Sequence, residues 1–112
     1  MTAMACSIAA IAVMAAVLAE GETFICNAAS EPHVQDLARM LNKMGAAIEG
    51  IGSNVMQVHG MGKLGGCEHT VSPDHIEIGS FMALAGVTGG ELRIRGCVPE
   101  DMRMICLVFG RL

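Results

Sequence analysis

The sequence predicts a mixed α/β (α+β) fold, and two observations lead to this prediction. Four stretches carry apolar residues at helical spacing, and short β-favouring runs lie between them, with glycine or a capping residue at most junctions. Hydrophobic residues also form 53% of the 112 residues and charged residues only 16%, against about 45–50% and about 25% in soluble domains. This composition excludes a disordered chain, but we expect leftover apolar surface that needs a partner, a further piece of chain or a membrane.

The first predicted element is a helix over Ile8–Ala19, apolar on all sides as in a helix buried between layers. Gly21 ends it, and Thr23–Cys26 follow as a short strand. The uncharged run Met1–Ala19, which contains this helix, also fits a signal peptide of a small secreted protein, or a membrane anchor. However, its start carries no Lys or Arg, and the run is Ala-rich and just short of the ~20 strongly apolar residues of a membrane span. We expect a core helix.

Ser30 is the predicted N-cap of a second helix, with Glu31 and Pro32 in its first turn, and Gly45 is its predicted stop. The apolar stripe of this helix has the spacing of an amphipathic helix: Val34, Leu37, Ala38, Leu41 and Met44. The solvent-facing side comprises Gln35, Asp36, Arg39, Asn42 and Lys43. This helix should therefore pack on one face.

A hairpin follows, because Ala47–Ile51 and Val55–His59 flank the turn-forming Gly52-Ser53-Asn54. His69–Val71 is predicted as one more short strand. Asp74 then caps a third helix, with Glu77 placed as in a capping box.

The third helix runs to Gly89, Glu91–Arg95 is predicted as a strand, and Pro99 is predicted to begin a fourth helix. Shifting the chain by 69 residues lays the first helix on the third, and Gly21 and Ile25 on Gly90 and Ile94. The second copy stops inside its helix. We therefore expect uncovered apolar faces on the first, third and fourth helices.

No catalytic group is evident from the residues alone. Asp74 with Glu77 suggests acid–base chemistry, but capping explains the pair better; Cys67 and His69, near His75, match no standard metal spacing. Arg93 and Arg95 could bind an anion or simply face solvent. The net charge of −4 and the absence of Tyr and Trp argue against nucleic acid. Five cysteines without C-x-x-C spacing favour buried, reduced thiols and a cytoplasmic location.

Several strings resemble the UDP-N-acetylglucosamine enolpyruvyl transferase family. They are MAAVLAEGET (Met14–Thr23), NAASEP (Asn27–Pro32), LARMLNKMGAAIEGIGSN (Leu37–Asn54), GCEHTVSPDHIEIGSF (Gly66–Phe81) and VTGGELRIRG (Val87–Gly96). The resemblance implies two similar domains built from βαβαββ-type repeats. Residues 1–73 would be the last repeat of the first domain and residues 74–112 the truncated start of the second, so the chain would be an internal fragment. Pro73, Asp74, His75 and Glu77 would then form the interdomain hinge.

The resemblance also implies a reaction, transfer of enolpyruvyl from phosphoenolpyruvate to the 3′-hydroxyl of UDP-N-acetylglucosamine in peptidoglycan precursor synthesis. No metal or other cofactor is implied. The family's nucleophilic cysteine lies outside the matched region, so no catalytic residue is assigned and the chain alone should be inactive. Ala5, Cys6 and Ser7, just before the first helix, would contact the uridine nucleotide, although they depart from the family's usual Ser-Val-Gly or Ser-Val-Thr.

A different hypothesis is a self-assembling structural module without activity. Its basis is the apolar surplus together with the incomplete second copy, which a second chain could cover. This hypothesis predicts a homo-oligomer formed through the exposed core faces, with no membrane and no nucleic acid as partner.

Overall fold

The computed structural model describes residues 2–28 and 31–111. Its elements, in chain order, are α1 (Thr2–Ala16), β1 (Glu22–Cys26), α2 (Pro32–Lys43), β2 (Ala47–Glu49), β3 (Val55–His59), α3 (His75–Thr88) and α4 (Arg103–Phe109). Helices and antiparallel strands occur together, so the predicted α/β class is confirmed. Contacts divide the chain into two compact units, unit 1 (Met1–Val71) and unit 2 (Ser72–Leu112). That these units are the end of one domain and the start of another stays a prediction.

The sheet of unit 1 has β3 at its centre, with β1 and β2 paired antiparallel on either side. The predicted hairpin is confirmed, although β2 ends at Glu49, earlier than expected. Gly50 and Gly52 adopt positive φ angles of 74° and 85° in the connection, a conformation that glycine reaches without steric cost. The turn-forming residues identified in the sequence therefore connect two strands that pair with each other.

The core of unit 1 lies between this sheet and the helices α1 and α2. Its most completely buried side chains come from all three parts: Val13, Val17, Val34, Met56 and Val58. The predicted stripe of α2 is confirmed, because Val34, Ala38 and Leu41 are buried while Leu37 and Met44 pack against the cluster. The apolar residues at alternate positions of β3 and those at helical spacing on α2 thus pack together in one apolar layer.

The helix α1 differs from its prediction in extent and in burial. It begins at Thr2 and ends at Ala16, whereas Ile8–Ala19 was expected. Ala9, Val13 and Ala16 are buried, but Ile8 and Ile11 on the other side are about three-fifths exposed. Burial on all sides is therefore wrong for the described chain, because a helix packed on a single layer covers only one of its faces.

The helix α2 begins at Pro32, with Glu31 at the N-cap position and no capping hydrogen bond from that side chain in the described residues. Ser30, the predicted cap, lies outside the described residues. The C-terminal end is as predicted, since Gly45 follows with a φ of 106°.

The segment Gly60–Val71, here called the strap, follows β3 without regular secondary structure in the described chain. The predicted strand His69–Val71 is therefore wrong. The backbone of the strap bonds to the ends of helices instead of to a strand: the N–H of Met61 donates to the carbonyl of Val17 at 2.8 Å, and that of Gly65 to the carbonyl of Met44 at 2.7 Å.

Unit 2 contains α3 and α4. A Cβ built on Gly79 would lie 3.0 Å from Cδ1 of Ile105, so the two helices approach closely at this glycine. Glu91–Arg95 is not a strand in the described residues, so that prediction is wrong, and residues 99–102 form a turn before α4 begins at Arg103. A β-favouring run becomes a strand only when a neighbour accepts its backbone hydrogen bonds, and no neighbour pairs with 91–95 in the described part.

Candidate functional site

A group of three polar side chains joins the strap to α2. Asp36 and Lys43 stand seven residues apart, two helical turns, and so project from one face of α2. His69 of the strap lies between them, with Nε2 3.1 Å from Oδ1 of Asp36 and Nδ1 3.2 Å from Nζ of Lys43. The side chains of His69 and Asp36 are only 9% and 14% exposed. The histidine is thus engaged at both nitrogens, by the largely covered Asp36 on one side and by the exposed Lys43 on the other.

Sequence reasoning missed this group and assigned Asp36 and Lys43 to a solvent-facing side. The strap covers part of that side, since the thiol of Cys67 also lies 3.9 Å from the carbonyl oxygen of Met40. The contact between His69 and Asp36 spans 33 residues of sequence. The available signal was the seven-residue spacing of an acid and a base on one helix, and it does not identify the third partner.

The group suits positioning better than catalysis. Both imidazole nitrogens of His69 already have partners, so neither is available to take a proton from a bound molecule. In the described residues no three His, Cys, Asp or Glu side chains are grouped so that they could hold a metal ion. Cys67 and His69 therefore do not belong to such a group there.

The predicted nucleotide contact falls inside α1. Ala5, Cys6 and Ser7 lie within Thr2–Ala16, not in front of the helix as expected. Ser7 is exposed and has a polar interaction of its own. The side chains of Ala5 and Cys6 lie outside the described part of the chain. Backbone N–H groups beyond the first turn bond inside a helix, so side chains must supply any contact here.

The predicted hinge residues lie at the start of α3. Asp74 is the N-cap, and its Oδ1 accepts hydrogen bonds from the backbone N–H of Ile76 at 2.9 Å and of Glu77 at 3.4 Å. Pro73 precedes the cap and is exposed, and the half-buried His75 is the first helical residue. The capping interpretation of Asp74 is therefore confirmed, while the role of these residues as a hinge stays a prediction.

The arginine pair of unit 2 does not form a closed anion site. An open cavity of about 740 Å³ is lined by Ala85, Gly90, Glu91, Leu92 and Arg93. Its charges are of both signs, since Glu91 and Arg93 share the lining, so the cavity does not favour an anion over a cation.

A membrane span is a further possibility raised by the apolar N-terminus. Of the helices in the described residues, none has the length and apolar character needed to cross a bilayer.

Comparison with known proteins defines the class. Residues 2–110 match the sequence profile of EPSP synthase (3-phosphoshikimate 1-carboxyvinyltransferase). Because the match covers nearly the whole chain, the chain belongs to the EPSP synthase family of enolpyruvyl transferases.

Within this family the chain is similar to proteins named UDP-N-acetylglucosamine 1-carboxyvinyltransferase. The protein of Treponema denticola is 58% identical over 101 residues, which are 90% of this chain and 24% of that protein. The protein of Borreliella burgdorferi is 54% identical over 100 residues, 89% of this chain and 23% of that protein. The protein of Symbiobacterium thermophilum is 54% identical over 89 residues, which are 80% of this chain and 20% of that protein. The resemblance inferred from the sequence strings is thus confirmed, and the chain spans about a quarter of the length of these relatives.

Proposed function

We propose that this chain is part of a UDP-N-acetylglucosamine 1-carboxyvinyltransferase. The observation that carries the proposal is the 58% identity to the Treponema denticola protein over 90% of the chain. The proposed reaction transfers enolpyruvyl from phosphoenolpyruvate to the 3′-hydroxyl of UDP-N-acetylglucosamine and releases phosphate. Peptidoglycan precursor synthesis in the cytoplasm is the proposed context.

In this proposal the chain contributes architecture and not the reacting groups. Residues 1–73 are the last repeat of one domain, residues 74–112 begin the next, and Pro73, Asp74, His75 and Glu77 form the hinge between them. Both nitrogens of His69 are occupied, which supports a positioning role for the polar group on α2. The nucleophilic cysteine is expected on a part of the enzyme outside the matched region, so the 112 residues alone should not catalyse transfer.

The proposed contact with the uridine nucleotide involves Ala5, Cys6 and Ser7. Ser7 is exposed on the second turn of α1, so its hydroxyl can reach a ligand. A hydroxyl can donate or accept a hydrogen bond, so it can pair with either kind of polar atom on a nucleotide. We expect Ser7→Ala to weaken binding of UDP-N-acetylglucosamine by about 3–10-fold, the effect of losing one hydrogen bond. Ser80→Ala, on α3, is the matched control.

A chimaera tests the proposal. The segment of the Treponema denticola protein that matches this chain is replaced by the chain's own residues, and phosphate release from phosphoenolpyruvate is measured with and without UDP-N-acetylglucosamine. We expect release that depends on both substrates and lies within about tenfold of the parent enzyme, a barrier change of up to about 1.4 kcal/mol. A folded chimaera without this activity contradicts the proposal, as does release by the 112-residue chain alone.

Self-association is the second candidate function, and the exposed apolar faces favour it. Ile8 and Ile11 of α1 are about three-fifths exposed, and Phe81 and Leu84 of α3 about half. On each of these two helices the exposed apolar side chains stand one helical turn apart, and apolar surface of this kind marks interaction sites in soluble proteins. The candidate predicts a homo-oligomer at micromolar concentration by light scattering, and dissociation on Ile11→Lys. A monomeric mass for the unaltered chain contradicts it.

A further inference from the structure

The strap is attached to unit 1 at successive points along its length. The N–H of Met61 bonds to Val17 and that of Gly65 to Met44, and Leu64 packs against the core cluster. Beyond Gly65 the attachment passes to side chains, first Cys67 and then His69. His69 lies two residues before Val71, the last residue of unit 1. Val71 itself is 76% exposed.

The two contacts of His69 define its protonation. The ammonium group of Lys43 can only donate, so Nδ1 of His69 must accept from it. The carboxylate of Asp36 can only accept, so Nε2 must carry the proton that is donated to it. A neutral imidazole with its proton on Nε2 meets both requirements at once. The other neutral tautomer meets neither, and an imidazolium donates at both nitrogens and repels Lys43.

Burial strengthens this arrangement. The side chains of His69 and Asp36 are 9% and 14% exposed, so water competes less for their hydrogen bond than it does at an open surface. The comparable pair on the sheet, His59 with Glu22 at 3.0 Å, is 34% and 53% exposed. The two histidine–carboxylate pairs of unit 1 therefore differ in their access to water, and His69 also contacts Lys43.

We propose that Asp36, His69 and Lys43 form a clasp that holds the strap on α2 up to residue 69. On the other side, Asp74 fixes the start of α3 through its bond to the N–H of Ile76. Residues 70–73 lie between these two anchors. The clasp thus sets the earlier limit of the proposed hinge, because it holds the strap in place as far as residue 69 and movement between the units can begin only after it. The inference rests on contacts within the chain and is independent of the transferase assignment.

Hydrogen exchange of the 112-residue chain, followed by mass spectrometry, tests the clasp. We expect His69→Ala and Asp36→Ala each to accelerate exchange in residues 64–71 by roughly tenfold, as for loss of a hydrogen bond to a charged group. The double variant should differ little from His69→Ala, because His69→Ala already removes the contact between His69 and Asp36. Asp36→Asn retains an oxygen that accepts from Nε2, so its exchange should lie between that of the unaltered chain and that of Asp36→Ala.

The matched control is His59→Ala, which removes the more exposed histidine–carboxylate pair and should leave exchange in residues 64–71 unchanged. Equal effects of His59→Ala and His69→Ala on that segment would overturn the proposal. So would unchanged exchange there in both His69→Ala and Asp36→Ala.

A second measurement is independent of stability. Nitrogen-15 NMR of the histidine side chains should find the proton of the neutral His69 imidazole on Nε2, and Lys43→Met should weaken this preference. A proton on Nδ1 would contradict the assigned geometry.

Proline substitutions test the limits of the hinge. Proline at Val71 or at Ser72 is expected to reduce hydrogen exchange only between the two anchors, and proline at Lys63 is the comparison. Protection gained throughout the strap would contradict the proposed hinge limits.

Discussion

Units 1 and 2 begin with similar sequence patterns and differ in what those patterns become. Each has an apolar helix, a glycine and then a β-favouring run. In unit 1 that run is β1, paired with β3 through a register that includes Thr23 with Val58. In unit 2 the corresponding run, Glu91–Arg95, has no strand partner in the described chain.

The consequence of this difference is seen in the burial of side chains. Unit 1 encloses an apolar core between two helices and a sheet, whereas the described residues of α3 and α4 include no buried side chain. Phe81 and Val87 of α3 are 47% and 87% exposed. Local pattern therefore specifies helices in both units, but a sheet and a core require the partner strand as well.

The largest contrast should come from methionine truncation in the two units. Met56, on the central strand, is 2% exposed, and Met104, on α4, is 69% exposed. We expect Met56→Ala to lower the free energy of unfolding by about 2–5 kcal/mol through loss of burial and a cavity. Met104→Ala should change it by less than about 0.5 kcal/mol. Urea unfolding measures both values, and similar losses would refute the contrast between the units.

A glycine at the end of β3 offers a second test. A Cβ on Gly60 would overlap the carbonyl oxygen of Ala19, whereas a Cβ on Gly62 would meet no atom within 4 Å. Gly60→Ala should therefore destabilise unit 1 by about 1–3 kcal/mol, because backbone must move to make room. Gly62→Ala is the control, with an expected change near zero. The thermal unfolding midpoints of the two variants are compared at one scan rate. Equal midpoints would show that the close approach of Gly60 to the carbonyl of Ala19 does not affect stability.

The smallest expected effect concerns the cap of α3. Asp74→Ala removes the acceptor for the N–H groups of Ile76 and Glu77, so we expect a loss of about 1 kcal/mol in helix stability. Asp74→Asn retains an acceptor oxygen, so it should lower helix stability by only a few tenths of the loss expected for Asp74→Ala. Amide exchange in the first turn of α3 is the measurement, and identical exchange in both variants would argue against capping.

Much of the local structure could be predicted from the sequence. The apolar spacing of α2, the turn glycines before β3 and the cap at Asp74 are local signals, and each is present in the structure. The exposed apolar side chains also concentrate on α1, α3 and α4, as expected from the composition.

Features that depend on distant residues were not predictable in the same way. The group of Asp36, His69 and Lys43 joins positions up to 33 residues apart, and no local sequence pattern predicts such a contact. The strand status of 91–95 depends on a pairing partner, and the burial of α1 depends on how many layers cover it. The proposed nucleotide contact at Ala5, Cys6 and Ser7 came from family resemblance, since these residues have no chemical signal of their own.

We propose that the two units are related repeats and that the run 91–95 of unit 2 needs a pairing strand that the described residues do not supply. The most direct test of this proposal is amide exchange of residues 91–95 in the chain as it stands and in a chain extended with the segment that follows in the Treponema denticola protein. We expect fast exchange in the first chain and at least about 100-fold slower exchange in the second, with strand pairing visible by NMR. Equally fast exchange in a folded extended chain would contradict it.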